Sequence, residues 1–91
     1  MKMGSKEVVA LNIAKFRIEK GMSRAWLARK MKVHAEYIQK VENGDVGITT
    51  DSIDKFAEAL KVEPYKLFID WSAMRGAIRE ADKKRGLLNE K

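Results

Sequence analysis

Apolar residues along this chain of 91 residues recur at intervals of three and four positions. Ile53, Phe56, Ala57 and Leu60 follow the i, i+3, i+4, i+7 spacing of a helix with one apolar face. No stretch alternates apolar and polar residues over the length of a strand, and proline occurs only at Pro64. The pattern therefore predicts an all-α chain.

Residues that begin and end helices divide the chain into short segments. Gly21 and Gly44 are placed to end the first and third helices, because glycine readily adopts the left-handed conformation of a helix C-terminus. Ser23 suits the start of the second helix, and Thr49 or Thr50 that of the fourth. These signals predict four helices before Pro64.

Pro64 suits the first turn of a fifth helix that buries Leu67 and Phe68. A chain of 91 residues is long enough for one small, compact domain. The expected organisation has three parts: a disordered N-terminus over residues 1–7, a domain over 8–69, and a C-terminal helical extension over 70–91.

The extension carries one apolar stripe on an otherwise charged helix. Trp71, Met74, Ile78 and Ala81 repeat at helical spacing, and Gly86 is placed to end the helix. The stripe can pack against a second copy of the chain or against the chain's own core, and the sequence favours neither. Trp71, Met74 and Ile78 are therefore candidate dimer-interface residues.

Basic residues concentrate in one segment. Between Lys15 and Lys40 there are eight basic and two acidic residues, an excess of six that equals the net charge of the whole chain. A compact positive segment suits a polyanionic partner, although charge alone fits a solvated basic surface equally well.

The composition also predicts several absences. The chain has no cysteine and one histidine, so we expect no metal site, no cofactor and no enzymatic activity. No apolar run is long enough to span a membrane, and the first residues do not resemble a secretory signal. We therefore expect a cytoplasmic protein. Because the sequence indicates no second domain, we also expect no pocket for a small-molecule effector.

The second and third predicted helices are joined by about three residues, and the third has a short polar outer face. This is the geometry of a helix-turn-helix, whose second helix lies in the major groove of DNA. Any small helical bundle has short turns, so the spacing alone is a weak signal.

Several residues at matching positions make the signal more specific. They are Arg17, the pattern SxxxLA from Ser23, Val33, Ile38, VENG over 41–44 and IDKFAEALKV over 53–62. With these residues the chain resembles the phage-repressor and Cro type (XRE-like) of helix-turn-helix proteins. The segments EYIQKVENG and GITTDSI also resemble the small controller proteins of restriction–modification systems.

The resemblance implies a five-helix domain of bacterial or phage origin that regulates transcription as a homodimer on a double-stranded DNA operator. It also implies that Arg17 and Glu42 form a structural ion pair between the first and third helices. An arginine can bind a carboxylate through two parallel hydrogen bonds, which would hold the third helix rigidly. We expect Arg17→Ala to weaken the fold as well as DNA binding.

The third helix, about residues 34–42, is the expected reading helix. Its candidate base-contacting residues are Ala35, Glu36, Gln39 and Lys40. A methyl group suits thymine, a carboxylate accepts from cytosine, an amide pairs with adenine and an ammonium donates to guanine.

Four further residues are candidates for contacts to the DNA backbone. The resemblance places Arg24 and Asn43 in this role, and Arg24 stands where the family usually has glutamine. Tyr37 can reach a sugar-phosphate oxygen or a base edge. His34 stands at the helix start, where it can cap the helix or face a phosphate.

Two residues depart from the family pattern. Lys32 stands where the turn usually has glycine, so either a lysine adopts the left-handed region at a cost of roughly 1 kcal/mol or the turn is reshaped. Trp26 replaces a polar residue and either packs half-buried or contacts a protein. An alternative function, which Glu36 and Lys32 favour, is a protein-interaction module of the same fold, antitoxin-like or partner-binding, that does not itself read DNA.

Overall fold

A computed structural model describes residues 4–70 and 75–86. No strand occurs within these two ranges, so the all-α prediction is confirmed. A short 3-10 helix, Pro64–Phe68, follows the fourth α-helix. The α-helices are α1 (Ser5–Glu19), α2 (Arg24–Met31), α3 (Ala35–Glu42), α4 (Thr50–Leu60) and α5 (Arg75–Arg85).

The core lies where the apolar faces of the first four α-helices and the 3-10 helix meet. Each element contributes at least one fully buried side chain: Ile13, Leu27, Ile38, Phe56 and Leu67. Burying a side chain of this size contributes about 1.5–3 kcal/mol. Because α2 and α3 pack against each other and on this core, the outer side of α3 remains open to solvent.

Two helices begin at the predicted capping residues. The Ser23 hydroxyl accepts a hydrogen bond from the Trp26 amide at 2.9 Å. The Thr49 hydroxyl accepts one from the Ser52 amide at 3.1 Å. Each side chain satisfies an amide that has no partner within its helix, which typically stabilises a helix by about 1 kcal/mol.

Left-handed residues end the first four helices. Gly21 and Gly44 have φ of 69° and 76°, but Lys32 and Lys61 adopt the same region at 60° and 58°. After each lysine, a valine amide donates 3.0 Å to the carbonyl of an alanine five residues earlier. This hydrogen bond closes a Schellman ending, so the turn at Lys32 keeps the left-handed conformation with a lysine in the usual place of glycine.

A buried amide joins α1 to the 3-10 helix. The Asn12 side-chain nitrogen lies 3.0 Å from the Leu67 carbonyl oxygen and 2.6 Å from that of Ile69. It also lies 3.1 Å from the carbonyl oxygen of Val8, one turn earlier in α1. Asn12 thereby fixes the exit of the 3-10 helix, a role that the hydrophobic pattern did not indicate.

Two features of the structure differ from the sequence prediction. Helix α1 begins at Ser5, so residues 5–7 are helical. The fifth element is a 3-10 helix in which Leu67 is buried but Phe68 is 50% exposed. A 3-10 helix turns by about 120° per residue, which carries the side chain after Leu67 away from the core.

The described part of the C-terminal extension packs on the chain's own α1. Ile78 is half-buried and shares a cleft with Leu11 and Ala14 of α1. Of the two packing partners that the sequence left open for the apolar stripe, this part of α5 contacts the chain's own core. Trp71 and Met74, the other candidate interface residues, lie outside the described residues.

Candidate nucleic-acid interface

Helix α3 has one buried and one exposed side. Ile38 and Val41 are fully buried and hold the helix against the core. The opposite side carries all four residues predicted to contact bases. The exposed residues of the helix and its N-terminal cap are His34, Ala35, Glu36, Gln39 and Lys40.

The exposed side of α3 offers several kinds of contact within a short distance. A methyl, a carboxylate, an amide and an ammonium group stand within two turns of the helix, which is a varied set for reading base edges. Glu36 lies in the first turn, where a carboxylate is favoured by the helix dipole. Its negative charge therefore suits the helix itself, whatever it contacts outside.

The flanking candidates differ in how far they are exposed. His34 is the N-cap of α3 but its side chain makes no capping hydrogen bond, and Asn43 is exposed at the other end. Tyr37 is half-buried, and its ring stacks on Phe56 with centroids 6.2 Å apart and planes 24° from parallel. Much of the Tyr37 side chain therefore serves packing, and only its outer part faces solvent.

Arg17 holds the end of α3 from inside the protein. Its guanidinium makes two hydrogen bonds to the Glu42 carboxylate, Nε to Oε2 at 2.6 Å and Nη2 to Oε1 at 2.9 Å. A third, from Nη1 to the Met22 carbonyl at 3.0 Å, fixes the turn that leads into α2. Arg17 is fully buried, so the predicted ion pair of Arg17 and Glu42 exists as an internal contact.

Two further charges complete this arrangement. Arg24 Nε donates to Glu42 Oε1 at 2.9 Å, and Arg17 Nη2 donates to Asp82 Oδ2 at 2.8 Å. We call these four residues the ionic network: Arg17, Arg24, Glu42 and Asp82. It joins α1, α2, α3 and α5, and its two guanidinium groups balance its two carboxylates.

The surroundings of Arg17 keep it charged. Burial alone would lower the pKa of its guanidinium, but hydrogen bonds and charges from Glu42 and Asp82 outweigh burial and raise that pKa. Arginine is already protonated at every physiological pH. Arg17 therefore retains its positive charge throughout that range.

The network changes the expected role of Arg24. The sequence suggested a DNA-backbone contact, yet the Arg24 side chain is only 15% exposed and one of its N–H groups is committed to Glu42. Of the eight basic residues in the 15–40 segment, Arg17 is therefore buried and Arg24 is partly buried. Five others in that segment are exposed: Lys20, Arg29, Lys30, Lys32 and Lys40.

Asp82 is the functional candidate that the sequence analysis missed. It lies four residues after Ile78, on the side of α5 that faces the core, and is 4% exposed. An acidic residue at i+4 from an inward apolar residue was the available signal. Its partner could not be identified from the sequence because the destination of the stripe was open.

A cleft of about 130 Å³ opens beside the network, between α1, α5 and the end of α3. Its apolar wall includes Leu11 and Ile78, and its polar lining includes all of the network except Arg17. Half of the six polar residues that line the cleft are therefore already engaged in ion pairs. The cleft was not foreseen from the sequence, which suggested no pocket.

Trp26 stands on the exposed side of α2. Half of its surface is accessible, and the guanidinium carbon of Arg29 lies 5.5 Å from its ring centroid. This distance permits a cation–π contact, which typically contributes about 0.5–1 kcal/mol at an exposed site. The two residues thus support each other along the outer face of α2.

The part of the chain that the structure describes shows neither a metal-binding cluster nor a membrane span. No cluster of three or more histidine, cysteine or acidic side chains in residues 4–70 and 75–86 has the arrangement of a metal site. Within the same ranges, every helix is too short or too polar to cross a membrane.

Three similarities to known proteins agree with this geometry. A family model described as helix-turn-helix matches residues 13–67. A hypothetical transcription factor of Neisseria meningitidis serogroup B is 37% identical over 62 residues, which are 68% of this chain and 58% of that protein. The crystal structure of a hypothetical transcription factor from Neisseria is similar, with a TM-score of 0.72 and 31% identity over 81% of this chain and 85% of that one.

Proposed function

Because this chain belongs to the helix-turn-helix family whose model it matches, we propose that it is a sequence-specific regulator of transcription that binds double-stranded DNA. In this proposal α3 enters the major groove and Ala35, Glu36, Gln39 and Lys40 contact base edges. Asn43, His34 and the outer part of Tyr37 contact the sugar-phosphate backbone.

One observation carries the proposal. The outer side of α3 is exposed and chemically varied, while the same helix is fixed from behind by Ile38, Val41 and the ionic network. A reading helix needs both properties, because base contacts discriminate only when the helix is held in a defined position. Exposed cations next to α3, such as Arg29, Lys30 and Lys32, supply charge for phosphate contacts.

The direct experiment is selection of bound sequences from a pool of random DNA duplexes. We expect enrichment of one motif, with each base contact contributing about 1–3 kcal/mol of discrimination. If no motif is enriched, the protein-interaction alternative is favoured instead. The exposed Trp26 would then be the first surface to test for a protein partner.

The selected motif allows a test of Glu36. We expect Glu36→Ala to relax the preference at one position, where wild type selects cytosine, and to leave non-specific binding unchanged or tighter. Glu80→Ala is the matched control, because it removes one exposed acidic side chain from α5, a different helix. Unchanged preference in Glu36→Ala would remove Glu36 from the base-contacting set.

Salt dependence tests the backbone contacts independently of sequence. Each phosphate neutralised by a lysine or arginine releases counterions, so affinity should fall linearly with salt on logarithmic axes. Replacing Lys30 by alanine should reduce the slope by about one if its ammonium contacts a phosphate. A flat salt response of the wild-type protein would contradict phosphate contacts altogether.

We further propose that the regulator acts as a homodimer. Helix-turn-helix dimers bind half-sites roughly 34 Å apart, which lets a small domain recognise a long operator. Exposed apolar side chains at the 3-10 helix support this proposal: Tyr65, Phe68 and Ile69. Sedimentation of wild type and Phe68→Ser tests it, and a monomer at every concentration would refute it.

A further inference from the structure

Asp82 belongs to the ionic network but comes from outside the helix-turn-helix. It lies on α5, 65 residues after Arg17, and its side chain is 6% exposed. Its Oδ2 accepts the 2.8 Å hydrogen bond from Arg17 Nη2, and α5 packs on α1 around this contact. A segment near the end of the chain therefore supplies a charge at the point that holds α3.

The charge balance shows why this contact concerns α3 as well as α5. With Asp82 in place, two guanidinium groups face two carboxylates. Without it, Arg17 and Arg24 share the single carboxylate of Glu42, and Arg17 is fully buried. A buried charge without full compensation is costly, so the chain would relieve it by moving Arg17 or the end of α3 toward water.

We propose that Asp82 is a positioning residue for α3, and that docking of α5 and orientation of α3 are coupled through the ionic network. The DNA-related part of this inference rests on the proposed function. The coupling itself is a property of the free protein. Because coupling is reciprocal, a ligand that favours the docked position of α3 must also favour the docking of α5.

A purely structural role for Asp82 has a different signature. If Asp82 only fastened α5, its loss would open α5 alone or lower the stability of the whole domain, and hydrogen exchange in α3 and α4 would then change to the same degree. If it positions α3, its loss opens α3 locally while α4 stays protected. Hydrogen exchange distinguishes the two, because it measures the opening of each helix separately.

The experiment compares hydrogen exchange in wild type, Asp82→Asn and Glu80→Gln without DNA. Glu80 is exposed on the same helix, so its variant loses the same charge outside the network. We expect Asp82→Asn to accelerate exchange in α3 about tenfold more than in α4, a size typical of coupled sites. Glu80→Gln should match wild type. Equal acceleration of α3 and α4, or none, would overturn the proposal.

The same measurement with the duplex recovered by selection tests whether DNA bound to α3 also favours the docking of α5. We expect this duplex to slow hydrogen exchange in α5 of the wild-type protein, and to slow it much less in Asp82→Asn. The ratio of specific to non-specific affinity should fall about fivefold or more in that variant. If the protein selects no duplex, the proposed function fails, but exchange in the free protein still decides the coupling.

A second variant keeps the test decisive if Asp82→Asn does not fold. Ile78→Ala removes apolar contact between α5 and α1 and leaves all four network charges in place. If α5 and α3 are coupled, hydrogen exchange in this variant should accelerate more in α3 than in α4. Acceleration confined to α5 would overturn the proposal, because α3 would then be held independently of α5.

Discussion

The structure makes its sharpest prediction for the loss of the Arg17 guanidinium. Arg17→Met keeps most of the side-chain volume but deletes four hydrogen bonds, two to Glu42 and one each to the Met22 carbonyl and Asp82. Afterwards Glu42 retains only its contact with Arg24, and Asp82 loses the guanidinium that it binds. Two carboxylates are then left inside the protein beside one cation.

The size of the effect follows from burial. Breaking a buried ion pair by removing one partner costs about 3–5 kcal/mol, because the remaining charge stays desolvated. A domain of this length has a total free energy of unfolding of roughly 5–14 kcal/mol. The variant should therefore lose a large fraction of its stability. At about 4–8 °C per kcal/mol, its melting temperature should fall by roughly 12–40 °C.

The assay is urea unfolding followed by circular dichroism, with the free energy of unfolding taken by linear extrapolation. The control is Glu19→Gln, which removes a surface pair with Lys15 at the end of the same helix, where the Glu19 side chain is 54% exposed. We expect that control to lose less than about 0.5 kcal/mol. A loss below about 1 kcal/mol in Arg17→Met would refute the argument, since the network would then contribute no more than a surface pair.

Two further predictions concern the backbone of the domain. Lys32→Gly and Lys61→Gly should each stabilise the protein by about 1 kcal/mol, because both lysines occupy the left-handed region. Only Lys32→Gly should weaken DNA binding, so loss of affinity in both variants would argue against a DNA contact by Lys32. Asn12→Leu should lower the free energy of unfolding in urea by about 1–3 kcal/mol, because the buried Leu67 carbonyl loses its side-chain hydrogen-bond donor. An unchanged unfolding midpoint would contradict this role of Asn12.

The parts of the fold that could be predicted from sequence are those set by local chemistry. The caps at Ser23 and Thr49 and the glycine endings depend on a few neighbouring residues, so the helices lie close to where the pattern put them. The ion pair of Arg17 and Glu42 can be predicted because both residues stand at the positions of the family's pair. Their distances and burial come only from the structure.

The remaining features depend on contacts between distant segments. Asp82 meets Arg17 only because α5 folds back on α1, and a single apolar stripe does not say which surface will cover it. The sequence predicts a surface position for Arg24, because no neighbouring residue indicates that Glu42 can pair with two arginines at once. Phe68 was expected inside because the pattern does not distinguish a 3-10 turn from an α-helical one.

The two-sided character of α3 has a consequence for how such a protein can diversify. Its inward residues and Glu42 hold the fold, whereas the side chains of Ala35, Glu36, Gln39 and Lys40 are exposed. Substitutions on an exposed helix face usually change stability by less than about 0.5 kcal/mol. Under the proposed function, a lineage carrying this domain can therefore exchange these outward residues nearly freely and acquire a new DNA target without a large loss of stability.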